Sequence, residues 1–170
     1  SIRKGLHYLI EGFKKFKHPN KRLNIIGSET SDKYFFRDLI KKNNNNDIFV
    51  HGIKTQKEIN MFLNDSNVFV LPSLDEGLAT VTLQACSSGC PLIISENTGA
   101  SEFVSNSNCG FVIPIRSSDA IKDKLTQLSD NQNLVDQFTY NAIKYSKNNT
   151  WGDYVEKLDL IIENYKKEMK

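Results

Sequence analysis

The residues best suited to chemistry lie in one short stretch that contains Ser73, Asp75, Glu76 and Gly77. This stretch follows an apolar run and leads into a helix that should begin near Ala79. The free backbone N–H groups at a helix N-terminus, together with the positive end of the helix dipole, attract anions such as phosphate. A glycine at this point lets the chain come close to the anion. The stretch therefore has the chemistry of an anion-binding loop.

The two carboxylates of this stretch have two interpretations. Phosphate would repel the carboxylate of Glu76, so Glu76 makes sense in a phosphate site if it faces the hydroxyls of a sugar. Alternatively, Asp75 or Glu76 caps the helix and stabilises its first turn. The residues alone rank the cap and the site equally, and both interpretations remain open at this point.

Gln84 is a further candidate, because it shares a helix face with Thr80 at i, i+4 spacing. Its amide can accept a hydrogen bond from one hydroxyl and donate to another, as two neighbouring ribose hydroxyls require. The alternative is a glutamine that is simply solvated on its helix.

The elements that must position these residues follow the pattern of a parallel sheet covered by helices, with short apolar runs between longer amphipathic segments. The predicted strands are residues 23–27, 48–52, 68–71, 91–95 and 110–114. The predicted helices are residues 5–17, 32–42, 56–64, 79–88, 101–105, 117–128, 133–146 and 151 to the C-terminus. We therefore expect one α/β domain with a doubly wound, mostly parallel sheet of about five to six strands flanked by helices. Such sheets bind ligands outside the carboxyl ends of their strands, here the loops after Gly27, Gly52, Leu71 and Ser95.

Composition narrows the class of protein. With 170 residues, 39% of them hydrophobic and 25% charged, the chain suits a single globular domain. Its net charge of +2 gives no reason to expect a nucleic-acid partner, and no apolar run approaches the roughly 18 residues of a membrane span. The sequence lacks a D-x-D pair, a Walker loop and G-x-G-x-x-G, and no His/Cys cluster completes a zinc set, so we predict no metal site. Cys86, Cys90 and Cys109 are expected to be small buried thiols in a reducing cytoplasm.

The spacing of several motifs resembles the signature of the family 4 (group 1) retaining glycosyltransferases. The segments that carry this resemblance are residues 68–73, Glu76-Gly77, residues 83–86 and residues 89–93. Weaker matches are Lys4-Gly5-Leu6, residues 23–27, His51-Gly52, Gly99, Glu102 and residues 110–112. The family has two Rossmann-like domains, the GT-B fold, and the resemblance implies that this chain is the C-terminal, nucleotide-sugar-binding half.

The resemblance also implies roles for individual residues. Glu76 would face the donor sugar, and Lys4 would neutralise the diphosphate as its charge grows on leaving; these two are the implied catalytic residues. The implied donor-binding residues are Ser73, Gly77, Leu78, Ala79 and Thr80 around the diphosphate and sugar, Gln84 at the ribose, and Gly52 and Ile53 beside the base. No metal ligand is implied.

Two departures from the family pattern stand out. Gln84 occupies the position of the second glutamate of the family's E-x₇-E motif, so an amide would hold the ribose instead of a carboxylate. The family's phosphate-binding arginine would lie before Ser1, and Arg3 is out of that register. The first strand and the acceptor domain would also precede Ser1. We therefore expect residues 1–170 to bind nucleotide weakly and to catalyse no transfer alone.

The resemblance implies transfer of a hexosyl group, with retention at the anomeric carbon, from a UDP- or GDP-sugar to a glycan, lipid or other acceptor in polysaccharide biosynthesis. The nucleotide sugar is a substrate, and no permanent cofactor is implied. The acceptor would bind through the missing domain, in the cytoplasm, with peripheral association at the inner face of the membrane left open. The alternatives are a non-catalytic nucleotide- or sugar-binding module of the same fold and a GT-B nucleotide-sugar epimerase.

Overall fold

The structure is a computed structural model that describes residues 2–28, 38–41 and 46–169. A 3₁₀ turn, Ile2–Lys4, opens the described chain. The strands are β1 (Leu23–Ile26), β2 (Ile48–Gly52), β3 (Phe69–Leu71), β4 (Leu92–Ser95) and β5 (Gly110–Ile113). The named helices are α1 (Leu6–Lys15), α2 (Gln56–Asn64), α3 (Thr80–Ser87), α4 (Ser101–Ser107), α5 (Ser118–Ser129), α6 (Gln132–Lys147) and α7 (Trp151–Glu168). Of the helix predicted at residues 32–42, residues 38–41 are helical and the rest lies outside the described residues.

The strands form two parallel sheets in the described part of the chain. One sheet pairs β1 with β2, and the other has the order β3-β4-β5. The prediction of a parallel α/β architecture is confirmed. The division into two sheets was not predicted, because the hydrophobic pattern identifies strands without identifying their hydrogen-bond partners.

Helices cover both faces of the sheet that contains β4, the strand with every residue buried. Because side chains alternate along a strand, Leu92 and Ile94 point to one face and Ile93 to the other. The first face packs against α2, α3 and α4, and it holds the buried thiols Cys86 and Cys109. The second face packs against α1 and α5, and α6 contributes residues to both cores. The three predicted buried thiols are confirmed as buried.

The helix α1 packs against strands of both sheets. Its buried residues Leu9 and Phe13, with Phe16 just after its end, lie in one cluster with Ile93 of the second sheet, and β1 and β2 pack against the same cluster. Helix α1 therefore packs across the division between the two sheets, and this packing holds the segment that directly precedes it.

Gly5 is the point where the start of the chain meets β3. Its backbone is left-handed, with φ of +67°, and a Cβ built on it would lie 1.9 Å from the carbonyl oxygen of Pro72. Only a residue without a side chain allows both the backbone angle and this close approach. Gly5 therefore places the segment before α1 against the loop that follows β3.

The start of α2 is fixed by a capping box. The Thr55 hydroxyl accepts from the backbone N–H of Glu58, and the Glu58 carboxylate accepts from the backbone N–H of Thr55. Lys54 also donates to Glu58, at 3.0 Å. These bonds to its charged form lower the pKa of Glu58 to about 2, with the backbone bond from Thr55 as the largest cause.

The helix α7 leaves a row of apolar side chains exposed, including Val155, Leu158, Ile162 and Tyr165. Their spacing places them along one face of the helix. None of the helices in the described part of the chain combines the length and apolar character that crossing a lipid bilayer requires.

The capping box makes the free energy of unfolding depend on pH. The pKa of Glu58 is lower in the folded chain, about 2, than its ordinary value of 4.5, so the unfolded chain binds more protons between these values. The stabilisation is complete above pH 4.5 and is lost as the pH falls toward 2. We expect Glu58→Gln to flatten the fall in unfolding free energy below pH 5, measured by urea unfolding at several pH values. Glu163→Gln on exposed α7 is the control, and an equal effect of both variants would contradict the assignment.

The close approach at Gly5 is tested against Gly52, which also has φ of +67° but has no atom within 4 Å of the place where a Cβ would lie. Gly52→Ala should cost roughly 1–2 kcal/mol of unfolding free energy from backbone strain alone. Gly5→Ala should cost roughly 3 kcal/mol or more, because overlap with the Pro72 carbonyl adds to the same strain. Equal losses in urea unfolding would show that Pro72 does not constrain Gly5.

Candidate functional site

The two residues predicted to be catalytic meet in the structure. The ammonium of Lys4 donates a hydrogen bond to Oε2 of Glu76, although 72 positions separate them in the sequence. Arg3 brings a second cation, with its guanidinium 3.9 Å from the same oxygen. The Glu76 side chain is 13% exposed and that of Lys4 is 42% exposed. A largely sheltered carboxylate thus faces two basic residues at the edge of solvent.

A backbone hydrogen bond and a close backbone contact hold the segment that carries the two basic residues. The N–H of Leu74 donates to the carbonyl of Arg3 at 2.8 Å. With the contact of Gly5 on Pro72, this bond binds the segment that carries Lys4 to the loop after β3. The position of Lys4 is therefore set by the main chain rather than by its flexible side chain.

The loop after β4 holds Glu76 from the other side. The N–H of Glu76 donates to the carbonyl of Asn97 at 3.0 Å, and the N–H of Gly99 donates to the carbonyl of Glu76 at 2.9 Å. The Asn97 side chain donates to the carbonyl of Leu74 at 3.1 Å. A Cβ on Gly99 would come within 3.1 Å of the Gly77 backbone, so the two loops lie in close contact.

The helix α3 begins without a side-chain cap. Its N-cap is Ala79, and no side chain at that position accepts from the first turn. The carboxylate of Glu76 is directed to Lys4, so the interpretation of Glu76 as a helix cap is wrong. Around this uncapped start, Gly77 and Thr80 are exposed, and Leu78 is 58% exposed. The first amides of α3 thus lie beside an open surface next to the Lys4–Glu76 pair.

Gln84 lies one turn farther along α3, and its partner was not predicted. Its side-chain N–H donates to the amide oxygen of Gln56 at 3.1 Å. Gln56 is the first residue of α2 and follows the loop that contains Gly52 and Ile53. Ile53 is 76% exposed, as a residue that borders a ligand would be. This hydrogen bond connects the start of α2, just after the loop that follows β2, to α3.

Ser73 has a different environment from the other predicted donor-binding residues. It is fully buried, and its hydroxyl has no hydrogen-bond partner among the described residues. Its carbonyl accepts from the hydroxyl of Ser95, the last residue of the neighbouring strand β4. Ser73 therefore lies beneath the loop, and its contact with a donor stays a prediction.

His51, at the end of β2, contacts other side chains of the fold. Its Nε2 is 2.9 Å from Oδ1 of Asn24, and its ring lies 4.5 Å from the ring of Phe62. Burial lowers the pKa of His51, and the nearby cations Arg22 and Lys54 lower it further. A neutral, packed imidazole suits a structural role.

The structure brings Lys4, Glu76 and the start of α3 into one place, with Gln84 on the same helix. Gly52 ends β2 of the other sheet, and Ile53 begins the loop after it. The contributions of Arg3, Asn97 and Gln56 were missed. Asn97 had a usable signal, because it lies in a loop after a parallel strand, where ligands bind. The contacts of Gln56 cross between elements and leave no pattern in the sequence.

The sequence matches the family model described as "Glycosyl transferases group 1" over residues 1–145. The chain is 30% identical over 169 residues to the capsular polysaccharide biosynthesis glycosyltransferase CapM of Staphylococcus aureus. That alignment covers 97% of this chain and 44% of CapM, so the chain spans less than half the length of this relative.

Two solved structures resemble the fold. HepE of Anabaena, in complex with UDP-glucose, superposes with a TM-score of 0.83 at 18% identity, over 98% of this chain and 46% of HepE. The C-terminal domain of the group 1 protein LpcC of Francisella tularensis superposes with a TM-score of 0.73 at 24% identity, over 85% of this chain and 78% of that domain. At these identities the likeness shows the fold alone, and the predicted Rossmann-like GT-B fold is confirmed. Since the family model covers most of its length, the chain belongs to the group 1 glycosyl transferases.

Proposed function

We propose that this chain is the donor-binding half of an enzyme that transfers a hexosyl group from a nucleotide-diphospho-sugar. The observation that carries the proposal is the meeting of Lys4 and Glu76 beside the uncapped start of α3. A cation, free backbone amides and a carboxylate at one point match the three parts of such a donor. These parts are the diphosphate, the negative charge that grows on it as the bond to the sugar breaks, and the hydroxyls of the sugar.

Each group has a task that its chemistry supports. The amides at the start of α3 face an anion favourably, and the Lys4 ammonium stabilises the charge that develops on the diphosphate as the bond to the sugar breaks. Glu76 accepts from sugar hydroxyls, where a carboxylate hydrogen bond is strong. In the free protein Lys4 and Glu76 neutralise each other, and the donor inserts between them.

The donor we propose is a UDP- or GDP-sugar, and the transfer proceeds with retention at the anomeric carbon. The complex of HepE with UDP-glucose supports a nucleotide-sugar donor, and CapM supports a role in polysaccharide biosynthesis. Gln84 contacts the ribose, and Gly52 and Ile53 border the base. The three free, buried cysteines fit a reducing compartment, so we place the enzyme in the cytoplasm, with the inner face of the membrane as the site of its acceptor.

We further propose that residues 1–170 are one domain of a longer protein. Its acceptor domain lies upstream, and the last strand before Ile2 lies between β1 and β3. Three observations support this: the match to a C-terminal domain, the 44% coverage of CapM and the division of the sheet. In doubly wound folds the strand before the first helix has the central position, with later strands on either side. The exposed apolar row of α7 then packs on the upstream domain, and 1–170 alone catalyses no transfer.

A non-catalytic nucleotide-binding module is the second candidate, and the amide of Gln84 in place of a glutamate favours it. Titration of the full-length protein with UDP and GDP separates this candidate from a protein of the same fold that binds no nucleotide. Transfer assays with the corresponding sugars then separate it from the enzyme.

The roles of Lys4 and Glu76 predict effects of opposite sign on nucleotide binding. Lys4→Ala should weaken binding of UDP or GDP to the full-length protein about 10-fold, because a charged hydrogen bond to the diphosphate is lost. Glu76→Ala should retain or strengthen that binding, because Lys4 is released, and should reduce sugar transfer at least ~100-fold. Calorimetric titration and a transfer assay measure the two effects. Lys17→Ala and Asp75→Ala are the matched controls, and activity that survives in Glu76→Ala would overturn the assignment.

The proposed central strand is tested by hydrogen exchange in the full-length protein. Phe69 donates toward β4, so the N–H of Val70 points away from β4 and toward the division of the sheet. We expect Val70 to be protected as strongly as Leu71, whose N–H faces β4. The N–H of Val112 on the outer edge of β5 serves as the reference for an edge strand. Exchange of Val70 at the rate of Val112 would contradict a strand between β1 and β3.

A further inference from the structure

The hydrogen bond between Gln84 and Gln56 is part of a longer chain of amides. Gln56 uses its oxygen to accept from Gln84 at 3.1 Å, and its own N–H donates to the oxygen of Asn60 at 2.9 Å. Asn60 lies one turn along α2 from Gln56, so the second bond is an i, i+4 contact within the helix. The three amides therefore run in one direction, from Gln84 through Gln56 to Asn60.

The direction of the chain leaves one end of the Gln84 amide available. A glutamine amide rotates between two nearly equal orientations, with oxygen and nitrogen exchanged. In the structure Gln56 donates to Asn60 and accepts from Gln84, so its oxygen faces Gln84. Gln84 must then present its N–H to Gln56, and its Oε1 turns away from α2 as an acceptor.

The support for Gln56 is rigid. It is the first residue of α2, directly after the capping box of Thr55 and Glu58. Its backbone is therefore fixed at the carboxyl side of β2, beside the exposed Ile53. On the other side, Gln84 is on α3, one turn beyond Thr80 at the open start of that helix. The amide chain joins α2 and α3, the two helices that follow the loops between which a nucleotide would lie.

We propose that Gln56 is a positioning residue that fixes Oε1 of Gln84 as the acceptor for a ribose hydroxyl of the nucleotide. The proposal rests on the donor site described above. It narrows the sequence interpretation of Gln84 as both donor and acceptor, because one of its two N–H groups is already used by Gln56 and the oxygen is the acceptor that remains. A fixed amide oxygen then supplies the acceptor that a carboxylate would supply at this position.

The test is the ability of the full-length protein to discriminate between ribose and deoxyribose. The probes are UDP and GDP with their 2′-deoxy and 3′-deoxy analogues, titrated by calorimetry. We expect Gln56→Ala to weaken binding of the ribonucleotide about five-fold and to leave at least one deoxy analogue unaffected, so that discrimination falls. Gln56→Glu keeps an acceptor for the Gln84 N–H and should retain discrimination. Lys57→Ala, the next and exposed residue of α2, is the control.

A double-mutant cycle shows whether Gln56 acts through Gln84. In the Gln84→Ala background, Gln56→Ala should change ribonucleotide binding no further. A loss of affinity that is equal for ribo- and deoxyribonucleotides would show a merely structural role and overturn the inference, as would unchanged discrimination in Gln56→Ala. Those outcomes leave the donor site intact. If the unaltered protein binds neither UDP nor GDP, the donor site and the inference both fail.

Discussion

The site depends on one close approach of two backbone segments, that of Gly5 to the carbonyl of Pro72. A single added carbon at Gly5 would lie 1.9 Å from that oxygen, so the start of α1 reaches the loop after β3 only because position 5 has no side chain. The bond from Leu74 to Arg3 fixes the same two segments one step farther along. These contacts are between main-chain atoms, and they bring Arg3 and Lys4 to a carboxylate that lies more than 70 positions farther along the sequence.

Electrostatics alone would not hold this arrangement. The Lys4 side chain is 42% exposed, and ion pairs at such positions stabilise proteins by about 0–1 kcal/mol. That is less than the cost of ordering the two long side chains and the segments that carry them. The backbone therefore positions the charges, and their attraction is a minor consequence. A weak pair suits the proposed donor site, because there a diphosphate with two or more charges would displace Glu76 from Lys4 without loosening the fold.

The sequence was sufficient for the elements and the family, and insufficient for the contacts between distant parts. The alternation of apolar runs with amphipathic segments identified β4 and α3 to within a residue or two, because hydrophobic periodicity is a local property. The spacing from Glu76 to Gln84 is also local, and it carried the resemblance from which the donor loop was predicted. The division of the sheet, the second cation at Arg3 and the bond from Gln84 to Gln56 depend on which segments become neighbours in space. No pattern within one segment records that choice.

The exchange of a glutamate for Gln84 can be understood from the charges around it. A carboxylate accepts from a hydroxyl more strongly than an amide does, and it accepts in every orientation, but it also repels a diphosphate. With Glu76 already present, a second carboxylate on α3 would place two negative charges near the same anion. An amide at position 84 removes that repulsion. It can also adopt an orientation in which its N–H, and not its oxygen, faces a hydroxyl that donates a hydrogen bond. A partner such as Gln56, itself oriented by Asn60, removes that orientation. The neutral side chain of Gln84 therefore needs an amide partner such as Gln56 to select its orientation, whereas a carboxylate, whose two oxygens both accept, would need no such partner.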